Sequence, residues 1–170
     1  EILDVSRIEA GERQLNEGVV DLNKTVKTCL DLVMPKVQEG KLIINNLVGP
    51  DAPKVIGEQH AIKQMLMNLL SNSVKYTPDG GRVTVSAEID SAGALRVLVT
   101  DTGIGLSEDE IQKALSPFGQ VNSAFSRHDS GAGLGLTLVK SLMSLHGGQL
   151  EMFSQKGVGT TATLVFPPKR

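Results

Sequence analysis

The chain has 170 residues, of which 40% are hydrophobic, 21% charged and 3% aromatic, with no Trp, one Tyr and one Cys, so its core must be aliphatic and of single-domain size. Seventeen basic against nineteen acidic side chains, a net charge of −2, leave no basic footprint for a nucleic-acid strand, and the few rings offer little for bases to stack on. The lone Cys29 closes no intrachain disulfide and builds no zinc site, which points to a reducing compartment, and no apolar run approaches the roughly 18 residues of a spanning helix.

The opening EILDVSRIEAGERQ spaces Ile2, Val5 and Ile8 as a helix would and places Gly11 where a helix would stop, so residues 1 to 14 read as a helix tail and linker. The chain starts at Glu1 in mid-helix and without Met, which is expected of an excised fragment. VVDL from Val19 predicts a short strand. A helix follows, capped by Asp21, with Val26, Leu30, Val33 and Val37 on its apolar face and Gly40 closing it. KLIINNL at 41 to 47 and KVI at 54 to 56 read as short strands around a Gly49-Pro50-Asp51 turn, and residues 58 to 77 as a second helix. RVTVSAEI at 82 to 89 and ALRVLVT at 94 to 100, joined by Asp90-Ser91-Ala92-Gly93, predict a hairpin. Ser107 with Glu110 three residues on opens a short helix. Residues 116 to 131 follow neither period and predict a mobile loop. A helix from about 132 to 145 ends at Gly147-Gly148, and strands at 149 to 154 and 160 to 166 finish the chain. The order predicts an α+β fold with helices on one side of a mixed sheet.

Three stretches carry chemistry. On the second helix, Gln64, Asn68, Ser71, Asn72 and Lys75 share one stripe, opposite Ile62, Met65, Leu66, Leu69 and Leu70. Asn is a mediocre helix residue, yet its amide oxygen is a hard ligand suited to a magnesium ion that also holds phosphate oxygens, and an ammonium nearby offsets phosphate charge. DTGIG at 101 to 105 ends an apolar strand with a carboxylate, Asp101, able to accept from a buried amino group, and Gly103 and Gly105 allow close approach to a flat ring. GAGLGL at 131 to 136 matches neither the dinucleotide fingerprint nor a phosphate-binding loop with its lysine, and is left as a glycine-rich entry into a helix where free N–H groups favour an anion. Taken singly, the three read equally as a solvated face, a tight turn and a flexible connector.

In their order, with GVGT at 157 to 160 behind them, they resemble the ATP-binding catalytic domain of bacterial sensor histidine kinases, over about Val19 to Pro167. The opening ILDVSRIEAG resembles the end of the dimerisation and phosphoacceptor helices of the same kinases. The resemblance implies a two-layer α/β sandwich, a mixed five-stranded sheet on about three helices with a mobile ATP lid. It implies a boundary after residue 17, the catalytic domain running from 18 to 170.

By that resemblance NLLSNSVKYT is the asparagine box: Asn72 ligates Mg2+, Asn68 lines the site one turn earlier, Lys75 reaches a phosphate and Tyr76 lies against adenine or ribose. Asp101 accepts from the adenine amino group, while Gly103, Ile104 and Gly105 shape the pocket and Thr160 contacts adenine through water. Pro117-Phe118 begins the lid, and Gly131, Gly133, Leu134, Gly135 and Leu136 end it, with Arg127 the cation to steady the terminal phosphate, or else a solvated loop arginine. His60, His128 and His146 are expected to make local hydrogen bonds.

ATP and Mg2+ are thus the implied ligands, and the implied partners are the chain's own phosphoacceptor domain, a second copy in a homodimer and a response regulator, all in the cytoplasm. Related ATPases of this fold, such as gyrase B subunits, MutL proteins and the large heat-shock chaperones, carry a glutamate base for water one turn before the magnesium asparagine. Here Asn68 stands there, and an amide cannot take water's proton, which favours transfer over hydrolysis. None of the three histidines has the context of a phosphoacceptor, so the implied role is a kinase fragment without its substrate. The competing readings are a non-enzymatic regulatory module of the same fold and an ATP-hydrolysing switch or serine-directed kinase.

Overall fold

The computed structural model describes residues 7, 8, 10–116 and 135–168. In chain order these form β1 (Gly18–Val20), α1 (Leu22–Glu39), β2 (Ile43–Asn46), β3 (Val55–Gly57), α2 (Gln59–Tyr76), β4 (Arg82–Ile89), β5 (Leu95–Asp101), α3 (Glu108–Leu115), α4 (Gly135–Leu145), β6 (Gln149–Gln155) and β7 (Gly159–Phe166). The expected lid, with Pro117, Phe118, Arg127, His128, Gly131, Gly133 and Leu134, lies outside the described residues.

One mixed sheet of five strands runs in the order β2-β4-β5-β7-β6, with β2 parallel to β4 and every other pairing antiparallel. The predicted hairpin of β4 and β5 holds register from Val83 opposite Asp101 to Ile89 opposite Leu95. Along β5, Leu95, Val97, Val99 and Asp101 are buried and alternate with half-buried Arg96, Leu98 and Thr100. This period of two turns one face of the sheet onto the helices, and Asp101 shares that face.

The short strands expected at 41 to 47 and 54 to 56 form as β2 and β3. They flank a turn in sequence but do not pair with each other. β2 joins the main sheet beside β4, while β3 pairs with β1 as a separate antiparallel ribbon, Val20 opposite Val55. Chain neighbours were separated because the pairing of such short strands is set by where α1 and α2 carry them, not by local pattern.

Both predicted helix faces are buried: Val26, Leu30, Val33 and Val37 on α1, and Ile62, Met65, Leu66, Leu69 and Leu70 on α2. They meet Val83, Val85, Val97 and Val99 of the sheet and Leu138 and Leu142 of α4 in one core. Asp21 caps α1, its carboxylate accepting from the Lys24 N–H, and burial carries the helix through exposed Pro35 despite the hydrogen bond that residue cannot donate. The remaining helix, α3, has the full capping box of Ser107 and Glu110 yet buries no residue, so among the described residues three helices form the layer and α3 lies beside it.

Candidate functional site

α2 brings the predicted polar stripe to the end of the sheet where β5 stops. Asn68 and Asn72 are half-buried, between core and solvent, and Ser71 is exposed. The Asn68 side-chain amide donates to the Gly135 carbonyl at 3.5 Å, so the asparagine helix touches the first described residue of the glycine-rich entry to α4. A side-chain carbon at Gly135 would stand 3.8 Å from Asn68, an ordinary contact, so no crowding among the described residues demands this glycine. Leu136 packs against the core, and Thr137 ties α4 to α3 by donating to the Leu115 carbonyl at 3.0 Å.

Lys75 is 9% exposed, with its ammonium 5.1 Å from the centre of the Tyr76 ring, so cation and ring form one half-buried edge at the end of α2. The Tyr76 carbonyl accepts from the Ile104 N–H at 3.1 Å, fastening the DTGIG turn to the asparagine helix. On its other side the turn is held by the Gly157 N–H, which donates to the Ile104 carbonyl at 2.7 Å.

Asp101 is 8% exposed at the end of β5. One carboxylate oxygen, Oδ1, accepts from the Gly103 N–H at 2.9 Å and the Thr160 N–H at 3.2 Å. Burial pushes the carboxyl above the usual carboxylate range, and the hydrogen bonds from Gly103, Ser73 and Thr160 oppose that rise. The register that sets Thr160 opposite Asp101 is the reason the two sequence-distant positions meet. The Thr160 hydroxyl lies 2.7 Å from the Ser154 Oγ, whose oxygen also accepts from the Leu106 N–H at 2.7 Å.

The glycines of DTGIG are also required by their own neighbours in the fold. A side chain at Gly103 would meet Asp101 Oδ1 and the Tyr76 carbonyl, each at 2.7 Å, and one at Gly105, whose φ is +72°, would run into the Gln155 backbone. The close approach each permits is to the protein itself: the turn is packed between the end of α2 and the β6–β7 hairpin, and this compactness is what holds Asp101 in place.

Sequence reasoning did not single out Ser73 and Ser154. Ser73 sits beside Asn72 and is buried, its side chain bonded to Asp101. Only its place inside NSVKYT signalled it. Ser154 belongs to an edge strand with an unremarkable pattern and gave no signal. His146, buried at the end of α4, makes the local bonds expected of it, with Nδ1 2.7 Å from the Leu142 carbonyl. Among the described residues no cluster of three His, Cys, Asp or Glu could hold a metal ion. Two carboxamides, an ammonium beside a ring and a buried carboxylate nevertheless form a donor set that fits a purine nucleotide whose own phosphates supply most of the ligands to Mg2+.

The profile of the family described as "Histidine kinase-, DNA gyrase B-, and HSP90-like ATPase" matches residues 57–170, two thirds of the chain. The chain belongs to that family. The "Non-motile and phage-resistance protein" of Caulobacter vibrioides is 42% identical over 170 residues, which are 98% of this chain and 20% of that protein. The "Cell-division control histidine kinase PdhS" of Brucella abortus is 36% identical over 178 aligned positions, covering 100% of this chain and 17% of the kinase. The crystal structure of full-length ShkA in complex with AMPPNP superposes with a TM-score of 0.84 at 27% identity, over 98% of this chain and 34% of that one. This histidine kinase-like ATPase domain spans about a fifth of the length of the curated relatives it matches.

Proposed function

We propose that this domain positions Mg-ATP for transfer of the terminal phosphoryl group to a histidine on an adjoining helical domain, as one part of a two-component signalling kinase in the cytoplasm. The observation that carries the reading is the joining of α2, which bears Asn68, Asn72 and Lys75, to the end of β5, where the Ser73 side chain bonds to the buried Asp101 carboxylate and the Tyr76 carbonyl accepts from the Ile104 N–H. In it Asp101 accepts from the adenine amino group and Thr160 stands beside it. Asn72 holds Mg2+ against the phosphates, with Asn68 lining the site. Lys75 offsets phosphate charge, and Tyr76 lies along the base or ribose. Gly103, Ile104 and Gly105 fix the wall behind the purine. The bound nucleotide supplies the leaving group, and the residues here supply placement and charge neutralisation.

Transfer is favoured over hydrolysis because Asn68 occupies the place where a general base for water would stand. The partners in this reading are the phosphoacceptor domain before residue 18, a second copy in a homodimer and a response regulator.

Titration of Mg-ATP into the wild type, Asn72→Ala and Asp101→Ala tests the site. Each variant is expected to lose roughly 10- to 100-fold in affinity, the worth of one charge-assisted contact. Equal affinity in all three would remove the assignment. With the helical domain attached, ATP is expected to leave acid-labile, base-stable phosphate on a histidine; rapid turnover by this domain alone, with no such phosphate, would favour a hydrolysing switch.

A further inference from the structure

Glu58 occupies the capping position of α2 with extended backbone, φ −96° and ψ 123°, but its side chain makes no cap bond to that helix. An Asp at this place turns its short carboxylate back onto the free N–H groups of the first turn, as Asp21 does for α1. Here both oxygens point the other way. Oε1 accepts from Arg13 Nη2 at 2.6 Å and Oε2 from the Asn16 N–H at 2.9 Å, across more than forty residues of sequence. The pair is well covered, with side chains 16% and 14% exposed, and on either side of Arg13 the half-buried Ile8 and Leu15 pack against the core.

The same residue is held from behind. The Glu58 N–H donates to His146 Nε2 at 3.2 Å, and His146 Nδ1 lies 2.7 Å from the Leu142 carbonyl. A carbonyl only accepts and an amide N–H only donates, so the ring is the neutral tautomer with its proton on Nδ1. There is no slack in this joint: a side chain at Gly57 would meet the His146 ring at 2.8 Å and Ile62 at 2.9 Å. Glu58 therefore joins the segment around Arg13, the start of α2 and the end of α4. Those two helices meet again at the Asn68–Gly135 contact.

We infer that Arg13 and Glu58 form a clasp that fixes the direction in which the segment before residue 13 leaves the domain, and that they are positioning residues for phosphoryl transfer. The inference rests on the kinase reading above. A terminal phosphate and a histidine on separate bodies react only when the joint between the bodies sets their line of approach. The clasp touches no nucleotide, so its loss acts on turnover and leaves nucleotide binding alone.

The test uses the kinase with its helical phosphoacceptor domain, as wild type, Arg13→Glu, Glu58→Arg and the double reversal Arg13→Glu/Glu58→Arg. Each single change is expected to lower the rate of histidine phosphorylation about tenfold with KM for ATP held within about twofold, and the reversal to recover a substantial part of the rate. Exchange of the Asn16 amide proton is expected to be faster in both single variants than in the wild type. Unchanged rates, a reversal as slow as the singles, or a loss carried by KM would overturn the clasp while leaving the kinase reading intact. A wild type that binds Mg-ATP and places no phosphate on histidine would overturn both.

Discussion

At Asp101 burial and hydrogen bonding pull the carboxyl in opposite directions, and burial is the larger. A carboxylic acid whose folded pKa lies above its unfolded value holds its proton longer in the fold. Its contribution to stability is present at low pH and is lost as pH rises through the raised folded value. Ionised Asp101 is therefore a cost near neutrality that an adenine amino donor would offset. Asp101→Asn keeps an oxygen to accept from the Gly103 and Thr160 N–H groups and removes the charge. Thermal melts should show it more stable than wild type by about 1 kcal/mol near neutral pH, the gain shrinking as the solution is acidified toward the raised pKa. A variant less stable than wild type across that range would show that the hydrogen bonds outweigh burial. Asp101 was legible in the sequence because VLVTD ends an apolar strand with a carboxylate. Ser73, which supports it, was not, since a buried serine carries no periodic signal.

Among the elements, α1 tests how far packing overrides local preference. Pro35 is exposed in the helix interior, where it leaves one backbone carbonyl without its usual donor, while Val33 and Val37 on either side are buried. Pro35→Ala should raise stability to denaturant by about 1 to 3 kcal/mol, with no change in nucleotide affinity. An unchanged or lowered midpoint would mean that the backbone there has adapted to the ring. The helix faces and the capping box of Ser107 and Glu110 could be read from sequence because each is a pattern within a few residues. The partners of β2 and β3 could not. Four- and three-residue strands hold too little pattern to name a neighbour, and α2 intervenes between β3 and the main sheet. For DTGIG the residues were legible but not their packing: the fit of Gly103 and Gly105 against the end of α2 and the β6–β7 hairpin exists only once the sheet is assembled.

For the whole molecule, Cys29 reports on cooperative opening. It is fully buried where α1 meets α2, with its Sγ 3.7 Å from the Lys63 carbonyl, and burial pushes its pKa up to about 11, so the thiol is both protonated and enclosed. Alkylation at neutral pH should follow unfolding of the core. A ligand that binds only the folded domain, at about 100 times its Kd, adds about 2.7 kcal/mol, so Mg-ATP should slow labelling roughly a hundredfold. Labelling at the same rate with and without nucleotide would mean either that ATP does not bind or that Cys29 is reached by a local opening.

In the proposed site the Asp101 carboxylate reads the amino group of a purine bound beside α2. Calorimetric titration of ATP and of GTP, each with magnesium, into the wild type and Asp101→Asn tests it most directly, because guanine places a carbonyl where adenine places its amino group. Wild type is expected to prefer ATP by about tenfold or more, since the wrong base would leave the buried carboxylate facing another acceptor, and the substitution is expected to erode the preference. Equal affinity for the two nucleotides, or a preference that Asp101→Asn leaves untouched, would contradict it.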